Sequence, residues 1–465
     1  MKIVNKKRAL FNILVLFAAI MAFLYLYQAR RFDADGILKN SILKEKTFSG
    51  NVVEISSPKG VNAYLMRDTT NPIISISFIF EKAGISFEEK GQKGMSNLVA
   101  SMLTQGAGKL NNQAFKDELE KKAIGISFDA NMDDFSGNLI TTKENQNRAY
   151  ELLNLVFSKP LFDDGELFLS KQQMLFALKR QTETPRGKLG LKFKEDVFVG
   201  HPYANNSVGE YEDIIKISKK DMQKFVTEKL VLENLIVGIS GDITEAEASI
   251  VLDKIFGNLG SKGKVKDIPQ TELLFDGRDI KVEAKSAQTF AIFANEAVER
   301  KDIDFYPLYV VNHIFGGAGL NSRLSLKARE NEGLTYGIYT YISQKDKSNM
   351  LKGSFSSTPE NYARVVEIVK EEWAKMGKNG ISEKELKSAK NYLISSYNLR
   401  FASIDGISSM LAYMQKYDLG IDFLKKRNEY VENVDLESAN RVARKYYDNE
   451  NTIWYSIGNF SVKKN

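Results

Sequence analysis

The sequence predicts an α+β protein with two homologous domains, each a mostly antiparallel sheet with helices packed on it, behind an N-terminal transmembrane helix. Three observations support this: an apolar segment near the N-terminus, a long internal repeat, and strand-like and helix-like patterns mixed in each half. At 465 residues the chain is too long for one ordinary domain. We divide it into an anchor or signal sequence, an N-terminal domain, a linker and a C-terminal domain, at residues 1–31, 45–256, 257–276 and 277–465.

The apolar segment comprises residues 10–27 and is interrupted only by Asn12. Its 18 residues are about the minimum for a membrane-spanning helix. More basic residues precede the segment than follow it, which favours a cytoplasmic N-terminus and a body on the other side. A cleaved signal peptide is the alternative, but its apolar region is usually shorter and residues 25–28 are bulky for a cleavage site. We therefore predict an uncleaved anchor.

The internal repeat consists of two short matches at nearly the same distance. Residues 137–145 read Gly-Asn-Leu-Ile-Thr-Thr-Lys-Glu-Asn and residues 353–361 read Gly-Ser-Phe-Ser-Ser-Thr-Pro-Glu-Asn, so that Gly, Thr, Glu and Asn recur at an offset of 216. Each match is expected to follow a strand and precede a helix. A second match at an offset of 219 relates Glu166, Leu167 and Lys171 to Glu385, Leu386 and Lys390. A repeat this long predicts a duplicated domain and not a solenoid.

Residue patterns predict the strands and helices within each half. An alternating, β-rich run at residues 73–80 predicts a strand. Apolar side chains at helical spacing from Met95 to Leu103 predict a helix. Residues 257–276 are rich in Gly and Lys and contain Pro269, which is typical of a linker. Further segments follow the same patterns: helices at residues 171–180 and 383–397, and closing strands at residues 235–240 and 452–457.

Composition excludes several classes of function. The net charge of +6 comes from 65 basic and 59 acidic residues spread along the chain, without a basic patch interleaved with aromatics, so nucleic-acid binding is not expected. The chain has no Cys, which excludes disulfides and thiol catalysis. Its two histidines, His201 and His313, lie 112 residues apart and cannot form the paired histidines of a zinc peptidase helix.

One stretch nevertheless resembles a zinc site. Residues 94–107 read Gly-Met-Ser-Asn-Leu-Val-Ala-Ser-Met-Leu-Thr-Gln-Gly-Ala, similar to the segment Gly-x-Ala-His-x-x-Glu-His-Met-x-Phe-x-Gly-Thr of the insulinase/pitrilysin (inverzincin) zinc metallopeptidase family. The resemblance implies that Asn97 and Ser101 occupy the two His positions and that Ala100 occupies the Glu position. The family's third ligand is a Glu on a later helix, but the corresponding residues 172–181 contain no Asp or Glu. We therefore expect a packing helix with a polar rim, no metal and no cofactor in this chain.

A second stretch matches the family more fully. Residues 312–336 contain a Gly-rich turn, then Ser-Arg-Leu, then Arg-Glu-x-x-Gly-Leu-x-Tyr, similar to the family's C-terminal motif. The resemblance implies that Arg329 and Tyr336 reach across a cleft to the substrate carbonyl beside the zinc of another domain. Guanidinium and phenol are both donors and suit a developing oxyanion. The alternative makes Arg329 a solvated helix residue and Tyr336 a strand aromatic, with Gly333 ending the helix between them.

Three smaller features have structural interpretations. The segment Gly316-Gly317-Ala318-Gly319 could cradle an anion at a helix start, but a close-packed turn is the favoured interpretation. His201 lies in a Gly-His-Pro-Tyr loop that the family also has and that does not bind metal. His313 precedes the Gly turn and is expected to be structural. The resemblance to the family covers about residues 45–462.

The resemblance leads to three hypotheses of function. The first is a catalytically silent subunit that pairs with a zinc-bearing homologue to degrade or process unfolded peptides, contributing Arg329 and Tyr336. The second is a structural or peptide-binding homologue without a peptidase role. The third is an autonomous metallopeptidase with unusual ligands, against which the missing ligands count. We favour the first, inactive alone, in a bacterial inner membrane with residues 10–27 as anchor and the body in the periplasm, or secreted there after cleavage.

Overall fold

Two β-sheets organise the structure, a computed structural model that describes residues 50–448 and 450–460. The first sheet has six strands in the order β1-β2-β6-β3-β5-β4, and the second has five in the order β7-β11-β8-β10-β9. The strands are β1 (Val52–Ser56), β2 (Asn62–Arg67), β3 (Ile73–Phe80), β4 (Gly125–Ala130), β5 (Phe135–Thr142), β6 (Leu235–Gly241), β7 (Asp279–Glu283), β8 (Thr289–Glu296), β9 (Thr335–Lys345), β10 (Ser348–Ser357) and β11 (Ile453–Gly458).

Both sheets have the same strand pattern. Strands β2 and β6 pair in parallel, as do β7 and β11, and every other neighbouring pair is antiparallel. From those parallel pairs outward, β2, β6, β3, β5 and β4 correspond to β7, β11, β8, β10 and β9, while β1 is an addition to the first sheet. The predicted α+β fold with two sheets is confirmed, and the strand predicted at residues 73–80 coincides with β3.

Helices surround the sheets and contribute most of the remaining buried surface. They are α1 (Met95–Met102), α2 (Asn112–Lys121), α3 (Gln146–Ser158), α4 (Asp164–Glu183), α5 (Pro185–Val197), α6 (Tyr211–Lys216), α7 (Lys219–Lys229), α8 (Glu245–Phe256), α9 (Phe305–Asn312), α10 (Arg323–Ser325), α11 (Pro359–Asn379), α12 (Glu383–Tyr397), α13 (Ile404–Lys416), α14 (Phe423–Glu432) and α15 (Leu436–Tyr446). Helix α12 matches the prediction at residues 383–397, and its start is fixed by a capping box between Ser382 and Glu385.

The predicted transmembrane helix at residues 10–27 lies outside the described residues. Within residues 50–448 and 450–460, no helix is both long and apolar enough to cross a membrane.

The first repeat match has a steric origin. Gly137 in β5 lies opposite Phe78, and Gly353 in β10 lies opposite Phe293. A Cβ atom at Gly137 would lie 2.4 Å from the Phe78 ring, and one at Gly353 would lie 2.2 Å from the Phe293 ring. Only glycine fits beneath these rings, so both halves require it at the same place. Both glycines lie inside their strands, whereas the sequence interpretation had placed them just after a strand.

The second repeat match also marks equivalent positions. Glu166 and Glu385 are each the third residue of their helix, α4 or α12. Lys171 Nζ donates to the carbonyl of Ile215 (2.9 Å), and Lys390 Nζ donates to the carbonyl of Val434 (2.8 Å). Each lysine therefore ties its helix to the chain segment that precedes a later helix with a side-chain cap, α7 or α15.

Each half also supplies a helix that covers the sheet of the other half. Helix α13 of the second half lies on strands β2, β3 and β6 of the first sheet, where Ser408 Oγ lies 2.9 Å from Ser75 Oγ and 2.8 Å from Ser77 Oγ. Helix α5 of the first half lies on β8 and β11, where the rings of Phe193 and Tyr455 meet edge to face at 5.3 Å. The two sheets are thus packed by exchanged helices.

A buried lysine joins the turns of both halves. Lys416, at the end of α13, forms ion pairs with Asp134 in the β4–β5 turn and with Asp346 in the β9–β10 turn, the latter at 3.1 Å. Burial tends to lower the pKa of Lys416, but the two carboxylates reverse this and raise it. The lysine therefore stays charged and holds the two hairpins together.

Candidate functional site

Helix α1 carries the positions that resemble zinc ligands. Its apolar side chains, Met95, Leu98, Val99 and Met102, are buried in the first core. The Asn97 amide donates to the carbonyl of Ser207 (2.5 Å), and Ser101 Oγ donates to the carbonyl of Leu98 (2.8 Å). Ala100 is buried and offers only a methyl group. The helix is therefore a packing helix with a polar rim, and both polar side chains are used by backbone groups nearby.

The start of α1 is held by a buried carboxylate. Glu88 accepts hydrogen bonds from the backbone N–H groups of Gly94 and Ser96, both at 2.8 Å. Burial raises the pKa of Glu88 to about 7, although these two bonds oppose the shift. Gly94 precedes the helix with φ of 101°, a conformation that favours glycine. Glu88 therefore accepts hydrogen bonds from the start of α1 with both of its carboxylate oxygens.

The helix expected to carry a third ligand does lie beside α1. Met174 of α4 packs against the start of α1, where its methyl carbon would be 3.2 Å from a Cβ atom on Gly94. The structure thus brings residues 172–181 close to α1, as the resemblance implies. An amide and a hydroxyl that already donate to carbonyls, with a methionine opposite, do not fit zinc, which takes imidazole, thiolate or carboxylate donors. The described part of the chain contains no group of three or more metal-ligating side chains.

The second motif presents its two donors to solvent. Residues Leu326–Asn331 form a π-helical turn that carries Arg329, and Gly333, with φ of 62°, ends it by donating to the Arg329 carbonyl (3.1 Å). Tyr336 then falls at an irregularity in the β9–β10 pairing, because Gly337 pairs with Ser356 whereas Thr335 pairs with Ser357. Tyr336 is 83% exposed. Tyr336 is thus a strand aromatic on β9 and Arg329 an exposed residue of a helical turn, as the alternative interpretation expects, and the Tyr336 ring is exposed to solvent.

The Arg329 side chain is also available. It is 41% exposed, and its ion pair is with its own neighbour Glu330 at 3.5 Å. Among the described residues, the Tyr336 hydroxyl has no hydrogen-bond partner. Tyr336 lies on β9, an edge strand of the second sheet, and the helical turn that carries Arg329 contacts this strand. Within the same described ranges, no hydrogen bond, ion pair or ring contact joins either of them to the Asn97–Ser101 group on α1.

The rest of the second motif is structural. Arg323 donates to both oxygens of Glu385 at 2.7 and 2.8 Å. Burial would raise the pKa of Glu385, but the bonds from Arg323 and the Ser382 cap lower it to about 2. A Cβ atom on Gly316 would lie 2.4 Å from Thr340 Oγ1. The Gly-rich segment is therefore a close-packed turn: it ends α9 through a π turn at His313–Gly317, and Gly319 begins only a three-residue 3₁₀ turn.

The two histidines are structural, as expected. His201 Nε2 donates to the carbonyl of Pro269 (2.9 Å), and its Nδ1 accepts from the N–H of Tyr203 (3.1 Å). His313 stacks on Tyr392 with ring centres 5.0 Å apart. Burial lowers the pKa of His313 to about 4, so the ring is neutral at neutral pH.

A cavity of about 400 Å³ beside β9 was not foreseen from the sequence. Arg300, Tyr397 and Arg427 line it, from three distant parts of the chain. No local spacing could have identified it, because the residues meet only through the packing of α12, α13 and α14 around α9.

Comparisons with known proteins agree with this geometry. Residues 216–393 match the family model described as the peptidase M16 inactive domain. The chain is 28% identical over 338 residues to the non-peptidase homolog YmxG of Helicobacter pylori, covering 72% of this chain and 78% of the relative. It is 24% identical over 307 residues to the uncharacterized zinc protease YmxG of Bacillus subtilis, covering 65% and 73%.

Solved structures show the same fold. A peptidase M16 inactive domain from Pseudomonas fluorescens superposes with a TM-score of 0.83 at 24% identity, covering 89% of this chain and 99% of that one. The periplasmic protease PqqL of Escherichia coli has a TM-score of 0.75 at 14% identity, covering 88% of this chain and 45% of that one. The fold, the two motifs and these relatives agree: the chain is similar to the insulinase/pitrilysin, or M16, peptidase family and, within residues 216–393, to its inactive domain, and the residues that resemble the family's zinc-binding motif are not zinc ligands.

Proposed function

We propose that this chain is the silent subunit of a two-subunit peptidase. In this proposal it pairs with a zinc-bearing homologue and uses Arg329 and Tyr336 to bind the carbonyl of an unfolded peptide. One observation carries the proposal: both donors are exposed and take no part in packing, whereas the polar groups on α1 are satisfied internally. Side chains without an internal role are available to a ligand outside the chain.

The chemistry of the two donors suits a carbonyl that becomes an oxyanion. Both are hydrogen-bond donors, and Arg329 is also a fixed positive charge. Irregular strand pairing of the kind seen at Tyr336 often re-aims a side chain beside a functional site. Removing one such donor typically lowers turnover about 100- to 1000-fold.

The match to PqqL supports a paired assembly. This chain covers 45% of the E. coli protease PqqL, which therefore contains about twice the matching length in one polypeptide. A two-subunit enzyme would reach the same size by association. We extend the proposal to location: residues 10–27 anchor the chain in a bacterial inner membrane, and the body lies in the periplasm, the compartment named for PqqL.

A second candidate is a purely structural homologue. A chain of complex III2 from Candida albicans superposes with a TM-score of 0.71 at 15% identity. In that role the fold would build an assembly, and Arg329 and Tyr336 would have no task. The exposure of both side chains favours the first proposal over this one.

The test uses the full chain in detergent, mixed with the zinc-bearing homologue of the same genome. We expect the mixture to cleave an unstructured peptide faster than the homologue alone, and Arg329→Ala or Tyr336→Phe to remove most of that gain. Tyr339→Phe, which alters another exposed tyrosine on β9, and Arg364→Ala, which alters another half-exposed arginine, are matched controls.

Three further outcomes decide between the alternatives. Unchanged turnover in both variants, with the complex intact on gel filtration, would favour the structural homologue. Absence of any complex would reject the pairing. Metal analysis of the separated subunits is expected to give one zinc in the homologue and none in this chain; a stoichiometric zinc here would revive the autonomous metallopeptidase.

A further inference from the structure

We propose that the cavity between β9 and helices α9, α12, α13 and α14 binds a carboxylate carried on an apolar body. The cavity has a volume of about 400 Å³, within the range of small-ligand sites. Aromatic side chains are the largest group in its walls, among them Tyr306, Tyr309 and Phe423. The site needs neither Arg329, Tyr336 nor a partner subunit, so it goes beyond the proposed function.

The cavity has an excess of positive charge. Arg300, Arg400 and Arg427 line it, and no Asp or Glu does. Arg427 is only 6% exposed, and its Nη1 donates to the carbonyl of Leu393 (2.7 Å) and to Asn428 Oδ1 (3.1 Å). No carboxylate in the described ranges pairs with Arg427. A buried charge held only by neutral groups is unfavourable, and an anion in the cavity would relieve it.

Arg300, like Arg427, is held by neutral groups. Its Nε donates to the Tyr413 hydroxyl and its Nη2 to the Tyr306 hydroxyl, both at 3.1 Å. Its guanidinium also lies 4.2 Å from the centre of the Phe305 ring. These contacts fix the planar fork without neutralising it, which is the arrangement that binds carboxylates in a directed way.

An unpaired hydroxyl lies among these arginines. Tyr397 is 5% exposed, and its hydroxyl has no hydrogen-bond partner among residues 50–448 and 450–460. The Arg427 guanidinium lies 4.2 Å from the centre of the Tyr397 ring, and Arg300 and Arg400 line the same cavity. Burial raises the pKa of the Tyr397 hydroxyl, and the three arginines oppose that shift. A carboxylate would accept hydrogen bonds from the phenol and from the guanidinium groups. It would satisfy the orphan donor and the uncompensated charge together.

Carboxylate fits better than inorganic phosphate because the aromatic walls favour an apolar body over a small hydrated dianion. Two sources share this chemistry: the C-terminus of a peptide and a free aromatic acid. Tyr341 of β9 lines the cavity, five residues beyond Tyr336, or about 17 Å along a strand. A peptide whose C-terminus lies in the cavity would run beside this edge strand. Of the two sources, only the peptide rests on the proposed function.

Calorimetry and thermal unfolding of the full chain, without any partner, test the site. The probes are phenylacetate, a hexapeptide ending in Phe with a free carboxylate, the same hexapeptide amidated, and inorganic phosphate. We expect a carboxylate probe to bind and to raise the unfolding midpoint, and the amide to bind at least about tenfold more weakly. Tyr397→Phe should weaken carboxylate binding about tenfold, since it removes one hydrogen bond to a charged group.

Tyr447→Phe is the matched control, because Tyr447 also buries an unpartnered hydroxyl but lies outside the cavity. It should leave affinity unchanged. Arg427→Gln should also weaken carboxylate binding. If this variant does not fold, Arg400→Gln on the exposed rim of the cavity replaces it and should weaken carboxylate binding as well. Equal affinities of phenylacetate and the free peptide would identify a small acid, and a tighter peptide would identify a C-terminus.

Three results would overturn the site: equal binding of acid and amide, preferential binding of phosphate, or no binding of any carboxylate at millimolar concentration. None of them bears on the proposed pairing, because the peptidase partner is absent from these measurements.

Discussion

The two halves of this protein have the same scaffold but use their polar side chains differently. Gly137 and Gly353 admit equivalent phenylalanines, and Lys171 and Lys390 make equivalent bonds. In the first half, however, the polar groups of α1 bind nearby carbonyls, whereas in the second half the donors near β9 remain free for a ligand. Packing positions have therefore stayed equivalent after duplication, whereas the polar side chains of the two half-sites have different partners.

The exchanged helices differ as well. Helix α13 meets the first sheet through small hydroxyl side chains, and a Cβ atom on Gly238 would lie 2.1 Å from the Ser408 carbonyl oxygen. Helix α5 meets the second sheet through large apolar side chains, among them Leu189 and Phe193. One interface is close and polar, and the other is apolar.

The largest expected effect contrasts these interfaces. Phe193→Ala should lower the free energy of unfolding by about 3–5 kcal/mol, because it leaves a cavity at the apolar interface. Ser408→Ala should lower it by only about 1–2 kcal/mol, since it removes hydroxyl bonds without changing the close approach. Urea unfolding followed by circular dichroism measures both, and equal losses would contradict the distinction.

The second prediction contrasts the half-sites in the assembled enzyme. Arg329→Ala should lower the turnover of the mixture about 100- to 1000-fold relative to the assembly with the unaltered chain. Asn97→Ala and Ser101→Ala remove side chains that only bind nearby carbonyls, so turnover should change less than about twofold. Steady-state cleavage rates of one peptide, measured for the three variants, test this contrast. A large effect at Asn97 would show that the first half-site still acts on substrate.

The third prediction tests the equivalence of the halves. Gly137→Ala and Gly353→Ala should each destabilise the protein by about 1–3 kcal/mol, because the new methyl group overlaps a phenylalanine ring. Phe78→Leu should recover part of the first loss and Phe293→Leu part of the second. Denaturation midpoints of the single and double variants provide the measurement. If alanine at either position left the stability unchanged, the two glycines would not be equivalent.

The last prediction concerns pH and the two histidines. The pKa of His313 is lowered by burial from 6.5 to about 4, so the folded state binds fewer protons than the unfolded state between these values. The stability that the neutral ring provides is present above pH 6.5 and is lost as the pH falls toward 4. The unfolding midpoint should therefore fall less steeply with acid in His313→Phe than in the natural chain.

Imidazole signals in NMR spectra check this directly, because the chain has only two histidines. His201→Asn assigns the remaining signal to His313 and serves as the control. A His313 signal that titrates near its ordinary pKa would reject the buried, neutral ring.

The sequence predicted what depends on local pattern. Residues 73–80 alternate and form β3, and the Arg329–Tyr336 spacing follows from a helical turn, Gly333 and a strand. It could not predict what depends on distant packing. The exchange of α5 and α13 joins segments far apart in the chain, and the exposure of Tyr336 results from irregular pairing with β10.

The cavity shows the same limit. Arg300 precedes α9, Tyr397 ends α12 and Arg427 lies in α14, so their proximity has no signature in spacing. The exposure of Tyr336 within β9 shows a related limit: the residue type in a strand does not reveal which positions the neighbouring strand leaves unpaired.

The exchanged helices have a consequence for synthesis on the ribosome. The first sheet is complete once residue 241 has emerged, yet the helix that covers it ends at Lys416. Throughout that interval the nascent chain carries a finished sheet with one face bare, and the close-fitting surface around Gly238 has no occupant. The first half therefore cannot complete its packing until residue 416 has emerged, so the two sequence repeats do not mature one after the other.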